Sequence, residues 1–210
     1  QGLQPTPRAS QLHPGLADAL ARVNDTLNLH NDFNPALSGR TFHLNMTDIG
    51  EIVFLPRLLQ HLSQVAPGVS LHTARSSHHA LKYEMEEGQI DLAVGLIPQL
   101  GAGFYQQRLF EQRYVCLMRD NHPLAKGDFG LEEFRSAHHA VIVASGTGHG
   151  VVEEQLANAG IQRPVRLTLP HFAAIPYIVG SSDLVVTVTN KLAEATCERF
   201  GLTVREHPLA

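Results

Sequence analysis

Two short segments of this sequence combine glycine with hydroxyl-bearing residues where a strand pattern gives way to a helix pattern. Residues 46–51 read MTDIGE, and residues 144–150 read ASGTGHG. A helix N-terminus has unpaired backbone N–H groups and a partial positive charge, so it attracts a carboxylate or a phosphate. Helix capping is the simpler interpretation, because Thr47, Asp48 and Thr147 are ordinary capping residues. The two segments occupy equivalent places in two similar units, and this favours anion binding.

A third segment of the same type is residues 170–172, where Pro170 ends a strand pattern and His171 and Phe172 open a helix pattern. His171 could donate a hydrogen bond to a ligand oxygen, and Phe172 could pack against an aromatic ring. A capping histidine beside a core phenylalanine explains the same residues equally well, so both interpretations stay open.

Signatures of catalysis and of metal binding are weak. The sequence has no G-x-S-x-G, H-E-x-x-H, C-x-x-C or Walker motif, and the glycines of residues 146–150 have G-x-G-x-G rather than G-x-G-x-x-G spacing. His149 and Glu153 share a helix face, but no third metal ligand is evident. Cys116 and Cys197 read as structural. We therefore expect no enzyme, no metal site and no cofactor.

The elements that position these segments follow from the periodicity of the apolar residues. Residues 41–96 alternate strand, helix, strand, helix, strand, which predicts a parallel sheet with right-handed crossovers. After a β-rich run over 103–120 and a turn-rich break over 122–130, the rhythm restarts at residue 139. The predicted fold is α/β, with two Rossmann-like subdomains and a ligand cleft at the carboxyl ends of their strands.

Two helices carry apolar stripes that predict how they pack. In the helix after residue 47, the stripe Ile52, Leu55, Leu59 and Leu62 is predicted to face inward. In the first helix, which Pro14–Gly15 is predicted to open, the narrow stripe consists of Leu16, Leu20, Val23 and Leu27. A narrow stripe on a polar helix suits a partner helix, although packing on the helix's own domain explains it equally well.

The composition sets limits on the class of protein. Apolar residues make up 43% of the 210 residues, which excludes wholesale disorder. The net charge of −4 and the pI near 6.4 argue against a general nucleic-acid-binding surface. Apolar runs are too short for a transmembrane span or a signal sequence, and two cysteines make no disulfide framework, so we expect a cytoplasmic protein. A chain that begins with Gln1 rather than Met is expected to be a fragment.

The quoted segments also resemble the LysR-type transcriptional regulators. Residues 2–7 look like the end of the wing of a winged helix-turn-helix, and residues 16–29 look like the linker helix. Residues from about 40 look like the effector-binding domain, which has the fold of type 2 periplasmic binding proteins. The motifs that carry the resemblance are MTDIGEIVFLPRLL, DLAVGL, FEQRYVCLMRDNHPLA, SGTGHG and LPHFAAI. They are most similar to the regulators of naphthalene, salicylate and nitroaromatic degradation.

The resemblance implies an organisation of the whole chain. It assigns residues 1–14 to the wing remnant, 15–34 to the linker helix, 40–113 to the first effector-binding subdomain and 114–210 to the second. The winged helix-turn-helix that would hold promoter DNA lies outside this chain. The family's closing strand and helix of the first subdomain would follow residue 210.

The resemblance also implies sites. A small aromatic carboxylate, such as salicylate or benzoate, would bind between the subdomains, and the chain would form dimers or tetramers. The effector-binding residues would be Thr47, Asp48, Ile49, Gly50, Phe54, Gln112, Gly146, Thr147, His149, Pro170, His171 and Phe172. The dimer contacts would be Leu16, Leu20, Val23 and Leu27 in one interface, and Leu55, Leu58 and Leu59 against Val152 and Leu156 in the other. A transporter's solute-binding protein and an enzyme on the same scaffold are the alternatives.

Overall fold

The computed structural model describes residues 6–28, 33–97, 100–101, 103–144 and 148–209. Two β-sheets and their helices form the fold, preceded by one long helix. The helices are α1 (Pro7–Asn28), α2 (Asp48–Val65), α3 (His78–Glu86), α4 (Leu131–Ser136), α5 (His149–Asn158), α6 (Ile175–Gly180) and α7 (Asn190–Phe200). The strands are β1 (Thr41–Met46), β2 (Ser70–Ala74), β3 (Leu92–Val94), β4 (Tyr114–Arg119), β5 (His138–Ile142), β6 (Val165–Leu169), β7 (Leu184–Thr189) and β8 (Leu202–Glu206).

The first sheet has the strand order β2-β1-β3, and both pairings are parallel. Leu44 and Met46 of β1 are buried, and the chain turns directly from Met46 into α2. A Cβ atom on Gly50 would lie 3.1 Å from the Cβ atom of Met46, so glycine lets the first turn of α2 approach the strand closely. The predicted β-α-β-α-β unit is confirmed.

The second sheet has the order β6-β5-β7-β4-β8. β5 pairs in parallel with β6 and β7, whereas β4 runs antiparallel to β7 and β8. Apolar side chains of β4 and β7 are buried on both faces of this sheet, as expected for strands covered on two sides. One core contains Phe172, Ile175 and Leu192, and the other contains Phe134 and Leu156. The predicted two-subdomain α/β fold is confirmed.

The segment that joins the two sheets differs from the prediction. Residues 103–113, which fall in the β-rich run, contain no strand, and Tyr105 and Leu109 are exposed. This segment crosses from one sheet to the other and has no neighbouring strand with which to pair. The short helix α4 follows the turn-rich break, and its N-terminus is capped because Gly130 N–H donates to the Glu133 carboxylate at 2.9 Å.

Helix α2 packs differently from the prediction. Leu59, which was predicted to face inward, is 53% exposed, so that part of the prediction is wrong. Ile49 and Ile52, in the first two turns, pack against the core of the second sheet that contains Phe172. The helix therefore follows a strand of the first sheet but contacts the second subdomain.

The first helix begins earlier than Pro14–Gly15. Thr6 Oγ1 accepts a hydrogen bond from Ala9 N–H at 3.2 Å, and Pro7 occupies the first helical position, where its missing N–H costs nothing. Pro14 lies inside the helix. Leu16, Leu20 and Val23 are 59%, 62% and 54% exposed, so the described part of the chain leaves them uncovered. The side chain of Leu27 is outside the described set.

None of the described helices has the length and apolar content needed to cross a membrane.

Candidate functional site

Strands from both sheets end where α2 and α5 begin, and we call this region the intersubdomain site. It consists of Thr47 and Asp48 at the start of α2, His149 at the start of α5, Tyr114 of β4, and Phe172 after β6. Each helix N-terminus presents backbone N–H groups that lack intrahelical acceptors. The geometry therefore gathers polar groups from both subdomains at the carboxyl ends of parallel strands, where ligands bind in folds of this kind.

Asp48 joins the two subdomains. Its Oδ2 atom accepts hydrogen bonds from Phe172 N–H at 2.5 Å and from Ala173 N–H at 2.9 Å, across 124 residues of chain. The third of the predicted anion-binding segments thus already has a carboxylate on its N–H groups, supplied by the protein itself. These two N–H groups are therefore paired within the protein in the conformation seen here.

The other oxygen of Asp48 is buried and has no hydrogen-bond partner among the described residues. Thr47 has the extended backbone of an N-cap residue, but its hydroxyl makes no capping bond to the first turn of α2, all of which is described. Helix capping therefore does not explain either side chain.

His149 is buried, with only 5% of its surface exposed. Its ring lies 5.0 Å from the Tyr114 ring, edge to face, and 4.5 Å from the Phe172 ring. Neither ring nitrogen has a hydrogen-bond partner in the described part of the chain. Burial lowers the pKa of His149 to about 4, although the nearby Asp48 charge opposes the shift, so the imidazole is neutral at pH 7.

Gly148 allows the subdomains to meet beside His149. A Cβ atom at this position would lie 2.6 Å from Tyr114 Oη and 3.2 Å from Leu96 Cδ2. Leu96 follows the last strand of the first sheet, so the glycine sits between groups from both subdomains. Burial raises the pKa of Tyr114, which keeps its phenol protonated and able to donate a hydrogen bond.

The remaining predicted effector residues divide into four groups. Ile49 packs on the core that contains Phe172 and Gly50 on β1, while Phe54 contacts the ring of Phe110 at 5.5 Å. Gln112, Pro170 and His171 are exposed, and no described contact joins them to Asp48 or His149. Gly146 and Thr147 lie outside the described residues. Phe172 is fully buried against His149. Its ring therefore packs within the protein in this conformation, whereas the prediction had it pack on a ligand.

Sequence reasoning did not assign Tyr114 or Leu96 to the site. Tyr114 stood out only as one of several apolar residues in the β-rich run, and Leu96 only as the end of a strand pattern. The spacing of G-x-G-x-G was the available signal, since close approach of other groups to a glycine backbone is one reason for glycine after a strand.

The predicted dimer contacts need one correction. Val152 and Leu156 are 3% and 1% exposed and pack in the second core, so α5 does not present them to another chain. Val151, the neighbouring residue, is exposed instead. On α2, Leu55 and Leu58 are half-buried and Leu59 is exposed, which leaves that side of the predicted contact accessible.

A second group of titratable residues lies on the other face of the second sheet. His139 Nε2 lies 2.7 Å from the Phe134 carbonyl oxygen, and the His207 ring packs edge to face on the Phe134 ring at 5.1 Å. Glu153, which could have shared a metal with His149, pairs with Arg163 instead. Burial raises the pKa of Cys116 to about 12, so its thiol stays protonated. No metal-binding cluster of histidine, cysteine and carboxylate side chains occurs among the residues that the structure describes.

The chain is similar to known proteins over most of its length. Residues 36–209 match the family model of the LysR substrate binding domain. The chain is 44% identical over 209 residues to the HTH-type transcriptional activator NahR of Pseudomonas putida, covering 100% of this chain and 70% of that protein. It is 45% identical over 208 residues to the HTH-type transcriptional activator NagR of a Ralstonia species, covering 99% of this chain and 69% of that protein.

Two solved structures show the same fold. The probable transcriptional regulator PA0477 of Pseudomonas aeruginosa is 32% identical, with a TM-score of 0.75, over 99% of this chain and 72% of that one. The regulatory domain of MexT, a transcriptional activator of Pseudomonas aeruginosa, is 26% identical, with a TM-score of 0.68, over 82% of this chain and 84% of that one.

Proposed function

The chain belongs to the LysR family of transcriptional regulators, and we propose that it is the part of an activator that binds a small aromatic carboxylate and controls genes of aromatic-compound catabolism. Its relatives are transcriptional regulators rather than enzymes. The aromatic class of effector is supported by the resemblance to regulators of naphthalene and salicylate degradation.

The observation that carries this proposal is the N-terminus of α2 beside His149. The backbone N–H groups of the first turn of α2 and the uncapped hydroxyl of Thr47 are donors for a ligand carboxylate. Two N–H groups of the second subdomain already balance the charge of Asp48. The neutral imidazole of His149 and the protonated phenol of Tyr114 add polar partners without adding another negative charge.

Isothermal titration calorimetry of this chain with salicylate, benzoate and their methyl esters tests the effector class. We expect the acids to bind and the esters to bind more weakly. A hydrogen bond to a charged group contributes about 1.5–3 kcal/mol, so Thr47→Val should weaken binding about tenfold or more. Thr41→Val, on an exposed position of β1, is the matched control and should leave binding unchanged. Equal affinity for an acid and its ester would refute the proposal.

The proposed partners are a second copy of this chain and promoter DNA. The DNA would be bound by a winged helix-turn-helix that these 210 residues do not contain. We propose that this binding takes place in the cytoplasm. A bound effector changes the equilibrium between two arrangements of the subdomains only to the extent that it binds one arrangement more tightly than the other. In a gel shift at physiological salt, this chain alone should not retain a promoter fragment over random DNA, and specific retention would contradict the assignment.

A further inference from the structure

Three basic side chains surround the fully buried ring of Phe134 in the second subdomain. The ring centroids of His139 and His207 lie 4.5 and 5.1 Å from that of Phe134, and the guanidinium carbon of Arg163 lies 5.5 Å from it. All three side chains are more than nine-tenths buried. We call them the basic cluster, and it contains none of the residues of the intersubdomain site.

Each member of the basic cluster has one buried nitrogen that forms no hydrogen bond within the described part of the chain. These atoms are Nδ1 of His139, Nε2 of His207 and Nε of Arg163. Because all three side chains lie around one phenylalanine ring, the three nitrogens occupy one region of the core. Buried polar groups are almost always hydrogen-bonded, since an unpaired one keeps the full cost of leaving water. Three such nitrogens together therefore indicate a bound partner.

The bonds that the two histidines already make determine which nitrogen carries the proton. His139 Nε2 lies 2.7 Å from the carbonyl oxygen of Phe134, which only accepts, so Nε2 is protonated and Nδ1 keeps a lone pair. His207 Nδ1 accepts the Leu209 N–H at 3.2 Å, so its proton is on Nε2. Burial lowers the pKa of both histidines to about 4, so both rings are neutral at pH 7. The basic cluster thus offers two N–H donors, from His207 and Arg163, and one acceptor, from His139.

Two donors and one acceptor match the hydrogen-bonding capacity of a water molecule, which accepts two bonds and donates the third. Buried waters in proteins typically make about three hydrogen bonds, to groups that the protein leaves unpaired. An anion would meet the lone pair of His139, and a cation would meet the charge of Arg163. A cavity of about 310 Å³ borders Arg163 beside Gly160 and Gln162, and it gives water access to this side of the core.

We propose that the basic cluster binds one structural water molecule. The water accepts hydrogen bonds from Arg163 Nε–H and His207 Nε2–H and donates one to His139 Nδ1. It thereby joins the segment after β8 to β5 and to the loop between α5 and β6. Because water carries no net charge, the bridge satisfies three basic side chains while Glu153 remains the counter-ion of Arg163. The proposal depends neither on the effector nor on the proposed function.

Nuclear magnetic resonance of the 15N-labelled 210-residue chain at pH 7 tests the protons and the water together. Long-range 1H–15N correlations assign the tautomers, and we expect the proton on Nε2 in both His139 and His207. The Hε2 proton of His207 should also show a nuclear Overhauser effect to water. His122 is the internal control, because it is buried and the protein already pairs both of its nitrogens, with Leu124 N–H at 3.0 Å and Asp183 O at 3.2 Å. Its Hε2 proton should show no such effect.

A substitution tests the contribution of the arginine donor. Arg163→Lys removes the Nε–H group and keeps a positive charge beside Glu153. The water then loses one of its three hydrogen bonds, so the Hε2 proton of His207 should exchange with solvent about tenfold faster or more. Arg166→Lys, on an exposed position of β6, is the matched control and should leave this exchange rate unchanged.

A crystal structure of the unmodified chain gives the direct result. We expect one ordered water about 2.7–3.2 Å from each of the three nitrogens. The proposal is overturned if that position holds an ion or no density, if either histidine carries its proton on Nδ1, or if Hε2 of His207 shows no effect to water. Equal exchange rates in Arg163→Lys and the unmodified chain also overturn it. Circular dichroism shows whether the variant folds, and if it does not, the spectra and the crystal structure of the unmodified chain decide.

Discussion

The guanidinium of Arg163 lies 2.6 Å from Oε1 of Glu153, and only 6% of the arginine side chain is exposed. Arg163 also lies 5.5 Å above the ring of Phe134, at the edge of the second core. A cavity of about 310 Å³ borders both charged residues. The pair thus lies beside this core, where an unpaired Arg163 charge would be costly to bury.

Glu153→Gln should destabilise the chain by about 1–3 kcal/mol, because it leaves the buried Arg163 charge without a counter-ion. Glu86→Gln removes one partner of the exposed Lys82–Glu86 pair and should change stability by less than about 0.5 kcal/mol. Urea unfolding followed by circular dichroism measures both, since the chain contains no tryptophan. Equal effects of the two substitutions would show that burial of Arg163 does not matter.

Stability should fall in mild acid. Burial lowers the pKa values of His139, His149 and His207 from 6.5 to about 4. Between pH 6.5 and 4 the unfolded chain therefore binds protons that the folded chain does not, so the unfolding free energy decreases as pH falls through this window. Each group contributes about 1.4 kcal/mol per pKa unit, which predicts a loss of several kcal/mol by pH 4.5.

His207→Asn is the variant that tests the origin of this slope. The asparagine oxygen can accept the Leu209 N–H that His207 Nδ1 accepts at 3.2 Å, but it does not titrate. The pH dependence of the urea midpoint should be shallower by about one proton's contribution. An unchanged slope would mean that His207 does not titrate differently on unfolding.

Gly148→Ala should destabilise the chain or weaken effector binding, with a cost of about 1–3 kcal/mol from overpacking. The added Cβ would lie 2.6 Å from Tyr114 Oη, so removing that oxygen should relieve the cost. We therefore expect the double variant Gly148→Ala with Tyr114→Phe to be more stable than the sum of the two single variants implies. Strictly additive free energies of unfolding would exclude this contact.

Charge on the exposed stripe of α1 should abolish one self-association contact. Leu16→Glu with Leu20→Glu should reduce the mass measured by light scattering and leave the two sheets folded, since glutamate is a good helix former. Ala17→Glu, about 100° around the helix from Leu16, is the control and should keep the original mass. A monomeric mass for the unmodified chain at about 100 µM would show that the stripe forms no interface.

The periodicity of apolar residues predicted the elements well. The apolar face of a strand recurs every two residues and that of a helix about every 3.6 residues. The three strands of the first sheet and β5 to β8 with their helices are all in the predicted order. Helix α4 was absent from the prediction, since six residues are too few for a helical period to show. Burial was less predictable, because α5 turns Val152 inward for the second core and α2 leaves Leu59 exposed.

The candidate site could be predicted only in part. Strand-to-helix junctions are local, so Thr47, Asp48 and His149 stood out from residue type and position. The bond from Phe172 N–H to Asp48 spans 124 residues, and no local pattern carries that information. The burial of His149 likewise depends on Tyr114 of β4 and on Phe172, which follows β6, and both are distant from His149 in the sequence.

The position of α2 also has a consequence for the order of folding. Ile49 and Ile52 gain their apolar neighbours from β4 to β8 and the helices between them, which come later in the chain. The first sheet has a small cluster of its own, around Leu81, Ile90 and Leu100. We expect residues 114–209 to form a stable nucleus on which β1 to β3 then assemble, since the two larger apolar cores lie in that part of the chain. In pulsed hydrogen exchange during refolding, amide protection in β5 and β7 should precede protection in β1.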